Sequence, residues 1–136
     1  MALNNPSSGF FAASEYMVSP LPWVVTGSTS TTAINKHTFH KVSKSLTVTN
    51  HATAGTFLRI GFTKNGVNGV GDNYFFMING GSTVNLDVRV TEIFVRADSS
   101  NTISYSLYAG LTTIDAGQMP MLSGSSGTGT GWEGVG

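Results

Sequence analysis

Three histidines, seven carboxylates and a run of glycines are the side chains through which this chain could do chemistry. His37 and His40 are three residues apart, which on an extended strand turns them to opposite faces. A zinc site would need further ligands, and with no cysteine in the chain no thiolate can supply them. His51 stands apart from both. The carboxylates, Glu15, Asp72, Asp87, Glu92, Asp98, Asp115 and Glu133, are scattered, and none has the spacing of a working acid–base pair. Gly66, Gly69 and Gly71 give the segment NGVNGVG the glycine content of a phosphate-binding loop. The next segment, Tyr74–Ile78, reads as strand, so no helix N-terminus is expected there to hold an anion. No Gly-x-Ser-x-Gly nucleophile elbow occurs. Tyr108, Phe57 and Phe75 have outward parity and could stack sugars or bases. Packing is the commoner use of such rings. The expectation is a protein that is not an enzyme and takes no cofactor and no metal.

The elements that would position these groups are strands. Ser45–Asn50 alternates Leu46 and Val48 with Ser45, Thr47 and Thr49. Thr56–Thr63 places Leu58, Ile60 and Phe62 on one face and Arg59 and Thr63 on the other. Tyr74–Ile78 is apolar on both faces, and the NGGS turn at Asn79–Ser82 leads into Thr83–Val88, where Val84, Leu86 and Val88 alternate with polar residues. Thr91–Ala97 and Thr102–Ala109 continue the pattern, and Leu111–Ile114 adds a last short strand. Period-two alternation rich in Val, Ile, Phe, Tyr and Thr marks half-buried strands. The loop His51–Gly55 reads as closing a first hairpin. The loop Lys64–Asn73 is the longest internal one and a natural place for contacts.

With 136 residues there is room for one domain, large enough to form a core without disulfides. Formal net charge is zero and only 10% of the residues are charged. Nucleic-acid binding driven by counterion release needs a basic face, and none is visible, so no nucleic-acid contact is expected. The exterior must be Ser, Thr, Asn and Gly, a composition weakly protected against association. No apolar run approaches the roughly eighteen residues of a membrane span. The start MALNNPSSGFF has neither the basic nor the apolar region of a signal peptide, so synthesis in a cytoplasm is expected.

Residues 1–33 read as an extended N-terminal arm: Pro6, Pro20, Pro22 and a Ser/Thr run argue against compact sheet. The arm nevertheless carries Phe10, Phe11, Tyr16 and Trp23, which must rest on its own sandwich or on a neighbour. Within it, Tyr16–Val18 and Trp23–Val25 are the candidate short strands, with helix the alternative for Ala12–Met17, where Ser14 could cap only a turn or so. Residues 34–119 form the expected β-sandwich domain, with Ile34–Val42 leading into its first strand. Residues 120–136 form a Gly/Ser-rich tail anchored by Trp132. Phe10, Phe11, Tyr16, Trp23 and Trp132 are the candidate interface residues. Short strands at this spacing, Gly-rich turns and no helix of useful length indicate an all-β, single antiparallel sandwich, with jelly roll the preferred topology and an immunoglobulin-like sandwich the alternative.

Several segments carry a family resemblance: Gly61–Thr63 followed by Asn65 and Gly66, Tyr74–Phe76 before a glycine turn, Arg89–Val95 (RVTEIFV), Ala109–Ile114 (AGLTTI) and Gly131–Gly136 (GWEGVG). From Phe57 to Gly136 the chain resembles the short single-jelly-roll vertex (penton) proteins of icosahedral DNA viruses whose major capsid proteins are double jelly rolls. The resemblance implies a non-enzymatic structural virion protein, a homopentamer closing the five-fold vertices. It also implies contact with the major capsid protein and other minor capsid proteins, and location in the virion. Two other readings stay open: a receptor- or carbohydrate-binding head or decoration protein, and a filament-forming surface subunit using its arm for strand donation.

Overall fold

A computed structural model describes residues 17–69, 73–99 and 102–119. Eight strands make up most of them: β1 (Leu21–Thr29), β2 (Asn35–Thr38), β3 (Lys41–Asn50), β4 (Leu58–Gly61), β5 (Phe76–Ile78), β6 (Thr83–Leu86), β7 (Glu92–Ala97) and β8 (Ile103–Asp115). One sheet has the order β1-β8-β3-β6 and the other β2-β7-β4-β5, and every pairing is antiparallel. The pairs β1·β8, β2·β7, β3·β6 and β4·β5 are nested, like the two halves of one long ribbon. Rolling that ribbon brings β8 beside β3 and β7 beside β4, which is the jelly roll. An immunoglobulin-like sandwich groups its strands differently, and the observed order excludes it.

Alternation builds the core as expected. Leu46 and Val48 of β3, Leu58 and Ile60 of β4, Ile93 and Val95 of β7 and Ile103, Tyr105 and Leu107 of β8 are buried between the sheets. Val84, Leu86 and Val88 pack against them half-buried, as does Phe62 just past the end of β4. Truncating a fully buried Leu such as Leu58 to Ala costs about 2–5 kcal/mol.

The sandwich departs from the sequence reading in several places. Thr102–Ala109 and Leu111–Ile114 are one continuous strand, β8, rather than two, and Met17 and Val18, expected in a short strand Tyr16–Val18, are not in one. Residues 21–29, assigned above to an arm, form β1, a nine-residue strand in unbroken register with β8, so the sheet begins well before the expected boundary at 33/34. Pro20 and Pro22 do not prevent this, because Pro is tolerated at a strand's start and on an edge. Ile34–Val42 contains β2 and opens β3 rather than leading into one strand. The Lys64–Asn73 loop begins with a short helix, α1 (Lys64–Asn68). Thr63 Oγ1 accepts from Gly66 N at 2.9 Å to cap it, and Gly69 ends it in the left-handed region at φ 74°. Finally, His51–Gly55 closes no hairpin: β3 and β4 lie in different sheets. Among consecutive strands only β4 and β5 share a sheet, and every other connection crosses over.

Crossings leave backbone groups inside the molecule, and buried polar side chains satisfy them. Asn50, at the end of β3, is fully buried. Its Nδ2 donates to the carbonyls of Thr56 and Ile78, both at 2.9 Å, and its Oδ1 accepts from Ala52 N at 2.9 Å. One side chain thus joins β3 of one sheet to β5 of the other. Ser43 sits where the β3–β8 register shifts. Its Oγ donates to Val88 O at 2.7 Å and accepts from Val90 N at 3.0 Å, holding the β6–β7 crossing. Asn50→Ala should lower unfolding stability by about 3 kcal/mol, because it orphans several buried groups at once. Urea denaturation reads this directly, and a loss below about 1 kcal/mol would show that the bridge is not structural.

Candidate interaction surfaces

The two outer faces of the sandwich differ in chemistry. On the β1-β8-β3-β6 sheet, register aligns Thr26, Ser106, Thr49 and Thr83 in one row and Val24, Tyr108, Thr47 and Asn85 in the next. No residue in either row is charged. Cross-strand hydrogen bonds link them: Thr26 Oγ1 to Ser106 Oγ at 3.2 Å, Thr49 Oγ1 to Thr83 Oγ1 at 2.8 Å, and Thr47 Oγ1 donating to Asn85 Oδ1 at 2.7 Å. His51 Nε2 lies 2.7 Å from Ser106 Oγ. A serine–histidine pair becomes a nucleophile with an orienting acid and an oxyanion hole. The hydrogen bonds of His51 among the described residues go to Ser106 and to the backbone of Ser104. The pair is therefore part of a hydroxyl ladder that satisfies itself across the strands.

The β2-β7-β4-β5 face carries charge along its strands, whereas the first sheet's ion pair, Lys41 with Asp115, lies at one end of β3 and β8. Lys36 pairs with Glu92 at 3.1 Å, and Arg59 Nε with Asp98 at 2.6 Å. Arg96 Nε donates to Thr31 O at 2.9 Å. The Arg59 guanidinium lies 4.2 Å from the Phe75 ring centroid, so the face of Phe75 that sequence parity offered for stacking is taken within the chain. Beside it, Ile60, Phe62, Asn73, Tyr74, Phe75 and Phe76 line an open cleft of about 270 Å³. Of the other rings of outward parity, Tyr108 is half-buried in the hydroxyl face and Phe57 half-buried before β4.

Between the sheets, at the border formed by the edge strands β1 and β2, lies a small aromatic and polar cluster. Trp23 meets Phe39 edge-on with centroids 4.8 Å apart, and His37 at 5.8 Å. Asn35 Nδ2 donates to Ser28 O at 2.7 Å and to the Tyr105 hydroxyl at 2.8 Å. That hydroxyl lies 2.6 Å from His37 Nε2. With its oxygen already accepting from Asn35, Tyr105 satisfies its proton by donating to His37. Nε2 then carries the lone pair, and a neutral imidazole keeps its proton on Nδ1. Burial pushes His37 below its ordinary value of 6.5 and pushes the Tyr105 phenol up, so both groups stay in the forms this arrangement needs.

Of the candidate interface residues, Trp23 is thus packed within its own chain, while Phe10, Phe11, Tyr16 and Trp132 lie outside the described residues. His37 and His40 do not converge: His37 faces Tyr105 and His40 is exposed. Among the described residues no three His, Cys, Asp or Glu side chains group as metal ligands, and no helix is long and apolar enough to cross a membrane. The hydroxyl rows were not foreseen. Their signal was present in the alternation of Thr and Ser, but which strands lie side by side was not.

No family model matches the chain, and no curated protein matches it. Among solved structures, the crystal structure of Yersinia pseudotuberculosis-derived mitogen aligns at a TM-score of 0.39 and 19% identity, covering 68% of this chain and 86% of that one. A likeness of that size carries no argument, and the fold assignment rests on the strand order.

The His37 cluster has a pH signature. A histidine held below its unfolded value is neutral in the folded chain, so its contribution is present above about pH 6.5 and is lost as pH falls through the lower folded value. Urea midpoints should therefore drop from about pH 7 to pH 5, and His37→Phe should flatten that part of the profile. An unchanged slope in the variant would remove His37 as its source.

Proposed function

We propose that this chain is a structural virion protein whose work is assembly: a penton subunit that forms a homopentamer at the five-fold vertices of an icosahedral capsid. It would contact the major capsid protein and other minor capsid proteins, reside in the virion, and catalyse nothing. The observation that carries the reading is the pair of uncharged, hydroxyl-laddered rows across the outer face of the β1-β8-β3-β6 sheet of a jelly-roll sandwich. Desolvating Ser, Thr and Asn that already bond to one another costs far less than desolvating ions, so a subunit can cover such a face reversibly. The family resemblance of residues 57–136 supports the same reading. The absence of a basic stripe in the sequence agrees with contacts to protein rather than to nucleic acid.

A second reading, a receptor- or carbohydrate-binding head, is favoured by one feature, the aromatic cleft at Ile60, Phe62 and Asn73–Phe76. Half-exposed rings beside an amide are the usual furniture of a sugar subsite. Native mass spectrometry separates the two. Five times 14.3 kDa, about 70 kDa, is the mass expected of the closed pentamer. A trimer would favour the binding head and an open polymer the filament. Either of these, or a monomer at assembly concentrations, overturns the pentamer.

A further inference from the structure

Among the described residues β1 pairs with β8 and β2 with β7, so where β1 and β2 meet at the border the two sheets are joined through side chains. Tyr105 of β8 is fully buried beneath both. The backbone of β1 runs directly over its phenol: a Cβ added at Gly27 would come within 3.2 Å of the hydroxyl oxygen. From β2, Asn35 Nδ2 donates to that oxygen at 2.8 Å, and His37 Nε2 accepts its proton at 2.6 Å.

One added proton breaks this arrangement. On a neutral imidazole every bond of the cluster has one donor and one acceptor. A proton on Nε2 makes the ring a donor, so the phenol oxygen meets two donors and its own hydrogen must turn away from the nitrogen. That hydrogen loses the acceptor it has in a fully buried place. The new charge has no counterion either. β1 presents Trp23 and Val25 to this border, β7 sets Ile93 opposite His37, and β8 presents Tyr105, whose burial keeps the phenol neutral. Lys36 and Glu92 pair with each other on the outer face of β2 and β7, His40 is exposed, and Arg96 is engaged with Thr31 O. Burial is what lowers the proton affinity of His37.

The ties across the border are unequal along β1. At its end Thr29 Oγ1 lies within hydrogen-bond distance of Ala33 O and of Val95 O on β7, and Asn35 holds Ser28 O at 2.7 Å. Toward its start the contacts are between rings, Trp23 against His37 and Phe39. We propose that protonation of His37 parts the sheets at this border: β1 stays on β8 and β2 on β7, Trp23 separates from Phe39, and water enters from the Trp23 end with Thr29 as the hinge. The other buried polar ties, Ser43, Asn50, Thr63 and Thr112, do not titrate, so the opening is local and the rest of the sandwich stays folded. The inference concerns a single chain and is independent of the assembly reading above.

Trp132→Phe leaves Trp23 as the single tryptophan of the full-length protein. Between about pH 7 and pH 5 its acrylamide quenching constant should rise about threefold, with emission shifted to the red and the far-ultraviolet circular dichroism unchanged. The change should follow the titration of the His37 ring, read by 15N NMR on the same protein. His37→Gln in this background keeps an acceptor for the Tyr105 proton and cannot titrate, so it should stay closed at pH 5, with His40 and His51 still present as internal controls. A Gln variant that opens with acid assigns the response to another group and overturns the proposal. An unchanged quenching constant while the ring protonates overturns it, as does a ring that stays neutral at pH 5. Circular dichroism lost together with the quenching change is global unfolding and overturns it too. The coincidence of ring titration and Trp23 exposure with His37 in place decides the matter even where the Gln variant does not fold.

Discussion

A chain that changes sheet at nearly every connection must carry its backbone through the interior without orphaning the polar groups it takes there. This structure meets that constraint with a handful of small polar side chains. Among the described residues Thr29, Ser43, Asn50, Thr63 and Thr112 are the buried polar ones, and each bonds to backbone at a crossing, a cap or a register shift. Thr29 bonds to Ala33 O after β1, Ser43 to Val88 and Val90, and Asn50 to Thr56 and Ile78. Thr63 caps α1, and Thr112 donates to Val42 O at 2.8 Å. Among the described residues, no buried side-chain nitrogen or oxygen is left without a partner. The apolar core supplies the driving force for folding; these bonds select which of the many two-layer arrangements it adopts.

Tyr105 does the same at the open side of the sandwich. It is fully buried on β8, and its hydroxyl reaches Asn35 and His37 on β2 of the other sheet. The two edge strands β1 and β2 are thereby tied together by an aromatic and polar cluster in place of main-chain pairing. It also accounts for the place of Trp23. That ring is used within the chain to close the sandwich beside Phe39. The two faces divide the remaining work. The exposed Lys36–Glu92 ion pair on the β2-β7-β4-β5 side contributes little to stability, and the uncharged rows on the opposite side are inexpensive to dehydrate.

Strand identity was legible in the sequence wherever burial is one-sided. Leu46 and Val48, and Leu58 and Ile60, alternate cleanly because one face of each strand meets the core and the other is more open to water, whereas in β7 Phe94, between Ile93 and Val95, is buried as well. Sheet membership was not legible, since period two says which side is buried and nothing about the neighbour. Ser45–Asn50 and Thr56–Thr63 therefore looked like a hairpin although they lie in different layers. β1 was hidden for a related reason. Its partner β8 lies some eighty residues away, and prolines precede its alternation of Trp23, Val25 and Gly27 with Val24, Thr26 and Ser28. Helix α1 escaped notice because its Gly and Asn residues favour turns, and only the Thr63 cap and packing against β4 and β7 hold it. The hydroxyl rows were unreadable because they exist only in the lateral register of four strands. Phe10, Phe11, Tyr16 and Trp132 were singled out for their setting in polar chain, a compositional signal that names residues but not what they touch.

The nested pairing also sets an order in time. β4 and β5, consecutive and in one sheet, are joined by residues 62–75 and can pair without waiting for a later strand. β3 then needs β6, β2 needs β7, and β1 waits for β8, whose residues 103–115 emerge late. Closing the outermost pair bridges most of the chain and is the slow, entropically expensive step. Until then β1 has no neighbour on either side. The nascent chain thus pairs its first strand last.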